Sequence, residues 1–287
     1  KNIPPYFEEL SHIPLIMHHP AHADRAGTRI DALTQTPDLM PTMLDIFGLE
    51  APKETRGRPI LERLDEDDEE RIIAFGMHGG PVGVTDGEYS FFRYPANLFD
   101  EQLGEYTLMP THMRSRFAPA ELRDWQRSDG FGFTKDCKVM RIPARTPKVF
   151  LSSETPMGRG RRSTLLFDVQ ADPGQLEPIT STEIEARMIR LMLLEMARNE
   201  CPPEQYERLG LPEPRRIGSG HDDIAIEMPS DEAIAAACVL AAAEGLTAAE
   251  HGGEGQPKMP FPAWAQEAAF PDNLRLLPRY QNTQPKS

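Results

Sequence analysis

Between Ile13 and Met17 the chain is apolar without a break, Ile-Pro-Leu-Ile-Met, and turn chemistry bounds it on both sides. That pattern predicts a short buried strand. A polar loop, His18 to Gly27, follows. The periodicity then changes. Thr36 and Pro37 open a helix as N-cap and first helical residue, Leu39, Met43, Leu44 and Phe47 give it an apolar face, and Gly48 is placed to cap its end. Strand, loop and helix in this order suit an α/β layer.

Further on, Arg71 to Met77, Val82 to Thr85 and Tyr89 to Tyr94 read as strands, the last two joined by Asp86-Gly87-Glu88, a hairpin signal. Leu165 to Val169 is another strand, closed by Asp172-Pro173-Gly174. The strongest helical pattern runs from Ser181 to Asn199. Its stripe is Ile184, Met188, Leu191 and Met192, widened by Ile189, Leu193 and Met196, and Thr180 and Glu183 have capping-box spacing. A second helix is expected from Ser230 to Leu246, with Ser230 as N-cap. Asn97 to Ser163 is rich in Arg, Pro and Gly and too long for a connection, which predicts a functional insertion or lid. Beyond about Pro212 the pattern weakens into an expected extended tail.

Charge narrows the partners. The net charge of -14 comes from 45 acidic against 31 basic residues. So acidic a chain is a poor candidate for general nucleic-acid binding, which needs a basic face, and its charge argues weakly against docking on anionic membranes. The longest apolar run, Ala233 to Ala243, is too short to span a bilayer. Cys137, Cys201 and Cys238 are odd in number and far apart, which rules out a disulfide framework and a zinc-cysteine site and favours a cytoplasmic protein.

Several stretches, read in order, resemble sulfatases of the alkaline-phosphatase superfamily. They are His12-Ile-Pro-Leu-Ile-Met-His-His-Pro20, then Asp38-Leu-Met-Pro41-Thr42-Met-Leu44 leading to Gly48, then Gly57-Arg-Pro-Ile-Leu61. The hairpin Asp86 to Arg93 follows, and Leu166-Phe-Asp-Val-Gln-Ala-Asp-Pro-Gly174 comes last, with Gln175 where the family usually carries Glu. The resemblance covers roughly residues 12 to 200.

It implies an α/β fold: residues 1–64 as the C-terminal part of an alkaline-phosphatase-like sandwich, then a small α+β subdomain over 65–211, an antiparallel sheet packed on one helix. The lid-like insertion is 97–163, and 212–287 is the tail. It also implies hydrolysis of sulfate esters, or of phosphate or phosphonate esters, by a formylglycine residue with a divalent cation (Ca, Mg or Mn). The formylglycine motif, Cys- or Ser-x-Pro-x-Arg, and the metal ligands would all precede Lys1. The chain is therefore expected to be the C-terminal portion of a longer enzyme, inactive alone, with the N-terminal part as its partner and a homo-oligomer left open. Cys137-Lys-Val-Met-Arg141 has the end residues of the motif but no proline, and it follows the landmarks it should precede. Cys137 is expected to be a structural, buried thiol.

By the same resemblance Lys1 falls where the family has a lysine on the sulfate or phosphate oxygens. The insertion brings Tyr106, His112, Arg114 and Arg116 close in sequence. Tyr106, His112 and Arg114 are the candidates for binding the anionic ester, since a guanidinium fork matches tetrahedral oxyanions. Arg159, Arg161 and Arg162 read as a solvated basic loop. His18, His19, His22 and Asp24 have metal-ligand chemistry, but adjacent strand residues point to opposite sides, so they read as polar residues at a strand mouth. The rival to an enzyme is a sulfatase-derived structural or interaction module.

Overall fold

The computed structural model describes residues 6–64, 71–95, 103–112, 115–144, 164–217 and 225–239. The fold is mixed α/β with antiparallel sheets. Its N-terminal part carries α1 (Glu8–Ser11) and α2 (Leu39–Ile46). The main sheet comprises β1 (Ile73–Gly76), β2 (Val82–Thr85), β3 (Tyr89–Arg93) and β7 (Leu165–Asp168), in the order β1-β2-β3-β7. The insertion leaves after β3 and returns at β7, its neighbour, with Tyr89 opposite Asp168 and Phe91 opposite Leu166. It carries β4 (Gly104–Thr107), β5 (Gln126–Ser128) and β6 (Val139–Pro143), which form their own sheet in the order β4-β6-β5. The expected lid is thus partly a small sheet.

α3 (Thr182–Arg198) lies against the main sheet. Its apolar stripe is why: Met188, Ile189, Met192, Leu193 and Met196 are buried, facing Val84, Phe91 and Leu166 of the strands. Ser181, one residue later than expected, is the N-cap and accepts from the Ile184 N–H at 3.3 Å. Period-2 alternation sends the intervening residues to the other face. There Phe92 and Phe167 pack edge-on with Phe7, at centroid distances of 6.0 and 5.7 Å. The N-terminal approach is fixed in place by Gln175, whose side-chain oxygen accepts from the Glu8 N–H at 2.6 Å.

α4 (Pro203–Arg208) follows α3, then the hairpin of β8 (Arg215–Ile217) and β9 (Ala225–Glu227), then α5 at 231–239. The helix expected from Ser230 does form, with Ser230 Oγ accepting from the Ala233 N–H at 3.3 Å. It is not part of an extended tail. Ile234, Ala237 and Cys238 are buried in the same core as α3. Arg93, 1% exposed, ties this C-terminal layer to β3 by donating to the carbonyls of Leu209 (2.9 Å) and Ala237 (3.2 Å).

The N-terminal segment departs from expectation. Ile13 to Met17 has no regular secondary structure and enters no ladder among the described residues. α2 is preceded by a 3-10 turn, Thr36–Asp38, and Gln35 takes the N-cap place expected of Thr36. Gly48 ends the helix at φ +67, a left-handed conformation that costs glycine little. The expected apolar face is mostly bare. Leu39, Met43 and Phe47 are exposed, and only Leu44 is half-buried.

Candidate functional site

Two of the four proposed site residues, Lys1 and Arg114, lie outside the described residues, as do Arg159, Arg161 and Arg162. Tyr106 sits on β4. Antiparallel pairing sets it opposite Arg141 on β6, and the two side chains meet Glu204 of α4. The Tyr106 hydroxyl donates to Glu204 Oε1 at 2.6 Å, and Arg141 Nε donates to the Tyr106 oxygen at 3.2 Å. The guanidinium also contacts Glu204 at 3.4 Å, an ion pair half-withdrawn from water. Burial first, and then the bond to Glu204, raise the Tyr106 phenol above its ordinary pKa, so it is a neutral donor. Its ring meets Phe131 edge-on at 5.3 Å.

This cluster needs Gly104. A Cβ there would lie 2.7 Å from Arg141 Nε and 2.9 Å from Glu204 Oε1. The cluster therefore joins the insertion sheet to α4, and every polar atom of Tyr106 is engaged within it.

His112 has different partners. Its Nε2 is 2.8 Å from Glu121 Oε1, and the ring packs edge-on against Phe117 at 4.5 Å. The other oxygen of Glu121 accepts from the Ala118 N–H at 2.6 Å. Tyr106 and His112 share no partner in these networks, so the structure does not gather the proposed substrate residues into one constellation. His112 keeps a side-chain exposure of 38%, which leaves it reachable from solvent.

The signature Asp38 is where the structure concentrates charge. Asp38 is fully buried. Arg71, 6% exposed, donates to both carboxylate oxygens at 2.7 Å, and the backbone N–H groups of Gln35 and Arg58 donate at 2.9 and 3.0 Å. Thr42 hydroxyl donates to the Asp38 carbonyl at 2.6 Å and accepts from the Ile60 N–H at 2.9 Å. A Cβ on Gly57 would overlap the Pro37 carbonyl oxygen. Two short stretches, Asp38 with Thr42 and Gly57 with Ile60, thus form one knot in which the buried carboxylate is paired and hydrogen-bonded.

A cleft of about 380 Å³ is lined by Cys201, Tyr206, Glu213, Pro214, Arg215 and Arg216. Its thiol is no nucleophile at neutral pH: burial, then Glu204 and Glu213, push Cys201 up to about 12. Cys238 is raised chiefly by burial. Cys137, expected to be buried, is exposed, because it follows a surface turn through Lys135 and Asp136, both at positive φ. Arg141, the other end of that pseudo-motif, is committed to Tyr106 and Glu204.

His19 and His22 have ring centroids 5.6 Å apart, and His19 Nδ1 accepts from the Ala21 N–H at 3.2 Å. Among the described residues no group of three or more His, Cys, Asp or Glu side chains is arranged to hold a metal ion, and no helix is long and apolar enough to cross a membrane.

Sequence reasoning missed Glu204 and Arg71. Arg71 had a signal, as the charged first residue of the strand expected from Arg71 to Met77. Glu204 had none, since only the fold brings α4 to β4. No family model, no curated protein and no solved structure matches the chain.

Proposed function

We propose that this chain is the C-terminal part of a sulfatase-family hydrolase of sulfate esters, with phosphate or phosphonate esters as competing substrates. One observation carries the reading. The residues that gave the resemblance are those the molecule uses as framework: Asp38, Thr42 and Ile60 are buried and joined in one knot, with Gly57 packed close on the Pro37 carbonyl. Asp86 to Arg93 and Leu166 to Asp168 lie side by side in the main sheet. A chance string match has no reason to choose positions that fold together. On this reading residues 6–64 complete an alkaline-phosphatase-like sandwich, and the main sheet with α3 is the small C-terminal subdomain.

On this reading, as the resemblance implies, the ligands for calcium, magnesium or manganese belong to the N-terminal part, and that ion would stabilise charge on the ester. The chain's own contribution is Lys1, a cation toward the ester oxygens, and the insertion, which shapes the pocket with His112 and Arg114. Tyr106 supports the insertion through Glu204.

The test is steady-state kinetics on the longer enzyme with nitrophenyl sulfate. Lys1→Ala should lower kcat by about 10²–10³, the usual loss for one preorganised charge contact, with the melting temperature unchanged. His112→Ala should raise KM more than it lowers kcat. Wild-type turnover in Lys1→Ala would remove Lys1 from the reaction. A coding sequence upstream of Lys1 without a Cys/Ser-x-Pro-x-Arg motif would favour the non-catalytic module.

A further inference from the structure

We infer that the cleft beside α4 and β8 binds a small anionic ester, a phosphate or sulfate monoester that also carries hydroxyl groups. The site uses none of Lys1, His112 or Arg114, so it stands or falls apart from the reading above.

The cleft is rich in donors. Its volume of about 380 Å³ is that of a small-molecule site. Two guanidiniums, Arg215 and Arg216, a phenol, Tyr206, and a thiol, Cys201, line it with one carboxylate, Glu213. Burial and the nearby acids push the thiol up to about 12, so it is neutral. Two cations against one anion leave the lining positive, in a chain whose net charge is -14. Such a local reversal of sign favours an anion.

Tyr206 points to a ligand. It is 3% exposed. A tyrosine so buried normally finds a partner for its hydroxyl. Among the described residues this hydroxyl makes no hydrogen bond. It is not sealed in the interior either, so the little surface it keeps opens on the cleft that Tyr206 lines. Burial first, then Cys201 and Glu213, raise its pKa, and Arg216 opposes them. The phenol is a neutral donor, and the groups that act on it are the cleft's own.

The arginines are held but not used up. Glu200 follows α3 at φ +57, a left-handed place that glycine takes at less cost. Its carboxylate accepts from the Gly132 N–H at 2.7 Å and meets Arg56 at 3.3 Å and Arg216 at 3.7 Å. Glu200 is thus a positioning residue for Arg216. Arg215 meets Glu227 at 3.7 Å. Both of these ion pairs lie beyond hydrogen-bond distance, which leaves the N–H donors of Arg215 and Arg216 for a ligand.

The donor set names the acid group. Two guanidinium forks and a phenol suit the three oxygens of a phosphoryl or sulfuryl group better than the two of a carboxylate. Glu213 repels a bare anion and accepts from a hydroxyl, which selects a hydroxyl-bearing ester over the inorganic ion.

The experiment is calorimetric titration of the 287-residue chain with glucose 6-phosphate, glucose 6-sulfate, inorganic phosphate and glucose. The expected result is saturable binding of at least one ester, about tenfold or more tighter than inorganic phosphate, and none of glucose. Tyr206→Phe removes a hydroxyl that no described residue bonds, so it should weaken the ester by about tenfold or more and leave the melting temperature unchanged. Arg215→Gln, at a side chain 79% exposed, should weaken it by a similar factor without unfolding the chain. Glu213→Gln should narrow the gap between ester and inorganic phosphate.

Binding of either ester in this pattern supports the inference, and the tighter of the two names the acid group. No saturable binding of either ester, inorganic phosphate bound as tightly as both, or full affinity in Tyr206→Phe and Arg215→Gln overturns it.

Discussion

Met192 and Met43 both sit on amphipathic helices, α3 and α2. Met192 is fully buried between α3 and the main sheet, and Met43 is 53% exposed. The same contrast holds for strands. Phe91, in β3, has ladder partners on both sides and no exposure, while Ile16 has no ladder partner among the described residues and is almost wholly exposed. The residue types do not separate the two regions, so apolar pattern alone does not decide what is core. The main sheet closes on itself with α3 and α5. The N-terminal segment is held to that body by Phe7 against Phe92 and Phe167 and by polar links, Asp38 with Arg71 and Glu8 with Gln175, while Ile13, Ile16, Met43 and Phe47 stay exposed.

The largest expected effect comes from cutting those links. Arg71→Ala leaves the buried Asp38 carboxylate without its cation and should destabilise the chain by about 3–5 kcal/mol, read by urea unfolding. Equal stability of variant and wild type would show that the segment is not coupled to the sheet. Met192→Ala should cost about 2–5 kcal/mol, as for a large-to-small change in a packed core. Met43→Ala in the isolated chain should stay within about 0.5 kcal/mol. If the two methionines cost the same, the division drawn between the regions is wrong.

Tyr106→Phe removes the hydroxyl's hydrogen bonds with Glu204 and Arg141 and should cost about 1–2 kcal/mol. Its exchange signature should be confined to β4, β6 and α4, and effects spread over the main sheet would contradict the independence of the insertion sheet.

The smallest effect concerns pH. Burial raises the Glu185 carboxyl above its ordinary value, partly offset by Arg93. An acid with a raised folded pKa favours the native state below its unfolded pKa, and that contribution is lost as pH rises through the folded value. Glu185→Gln should therefore raise the melting temperature at neutral pH, with the gain shrinking on acidification. A pH-independent difference would exclude titration of Glu185 as its cause.

Much of the main sheet was legible because its signals are local. Asp86-Gly87-Glu88 marks the hairpin, and the α3 stripe marks a helix needing a sheet. The Asp38 knot was legible only as a resemblance, since its partners Arg58, Ile60 and Arg71 arrive from distant sequence. The cluster of Tyr106, Arg141 and Glu204 was not legible, because nothing in β4 announces α4. Ile13–Met17 was read as a buried strand, and its run of apolar residues does say so. Among the described residues the segment instead enters no ladder, and Ile13 and Ile16 are exposed, so the apolar run alone did not decide its place.

The most direct test is to measure nitrophenyl sulfate hydrolysis side by side for the 287-residue chain and for the longer polypeptide that includes the sequence encoded upstream of Lys1. The account predicts no turnover by the chain alone and cation-dependent turnover by the longer protein. Turnover by the isolated chain, or none by a folded longer protein, would contradict it.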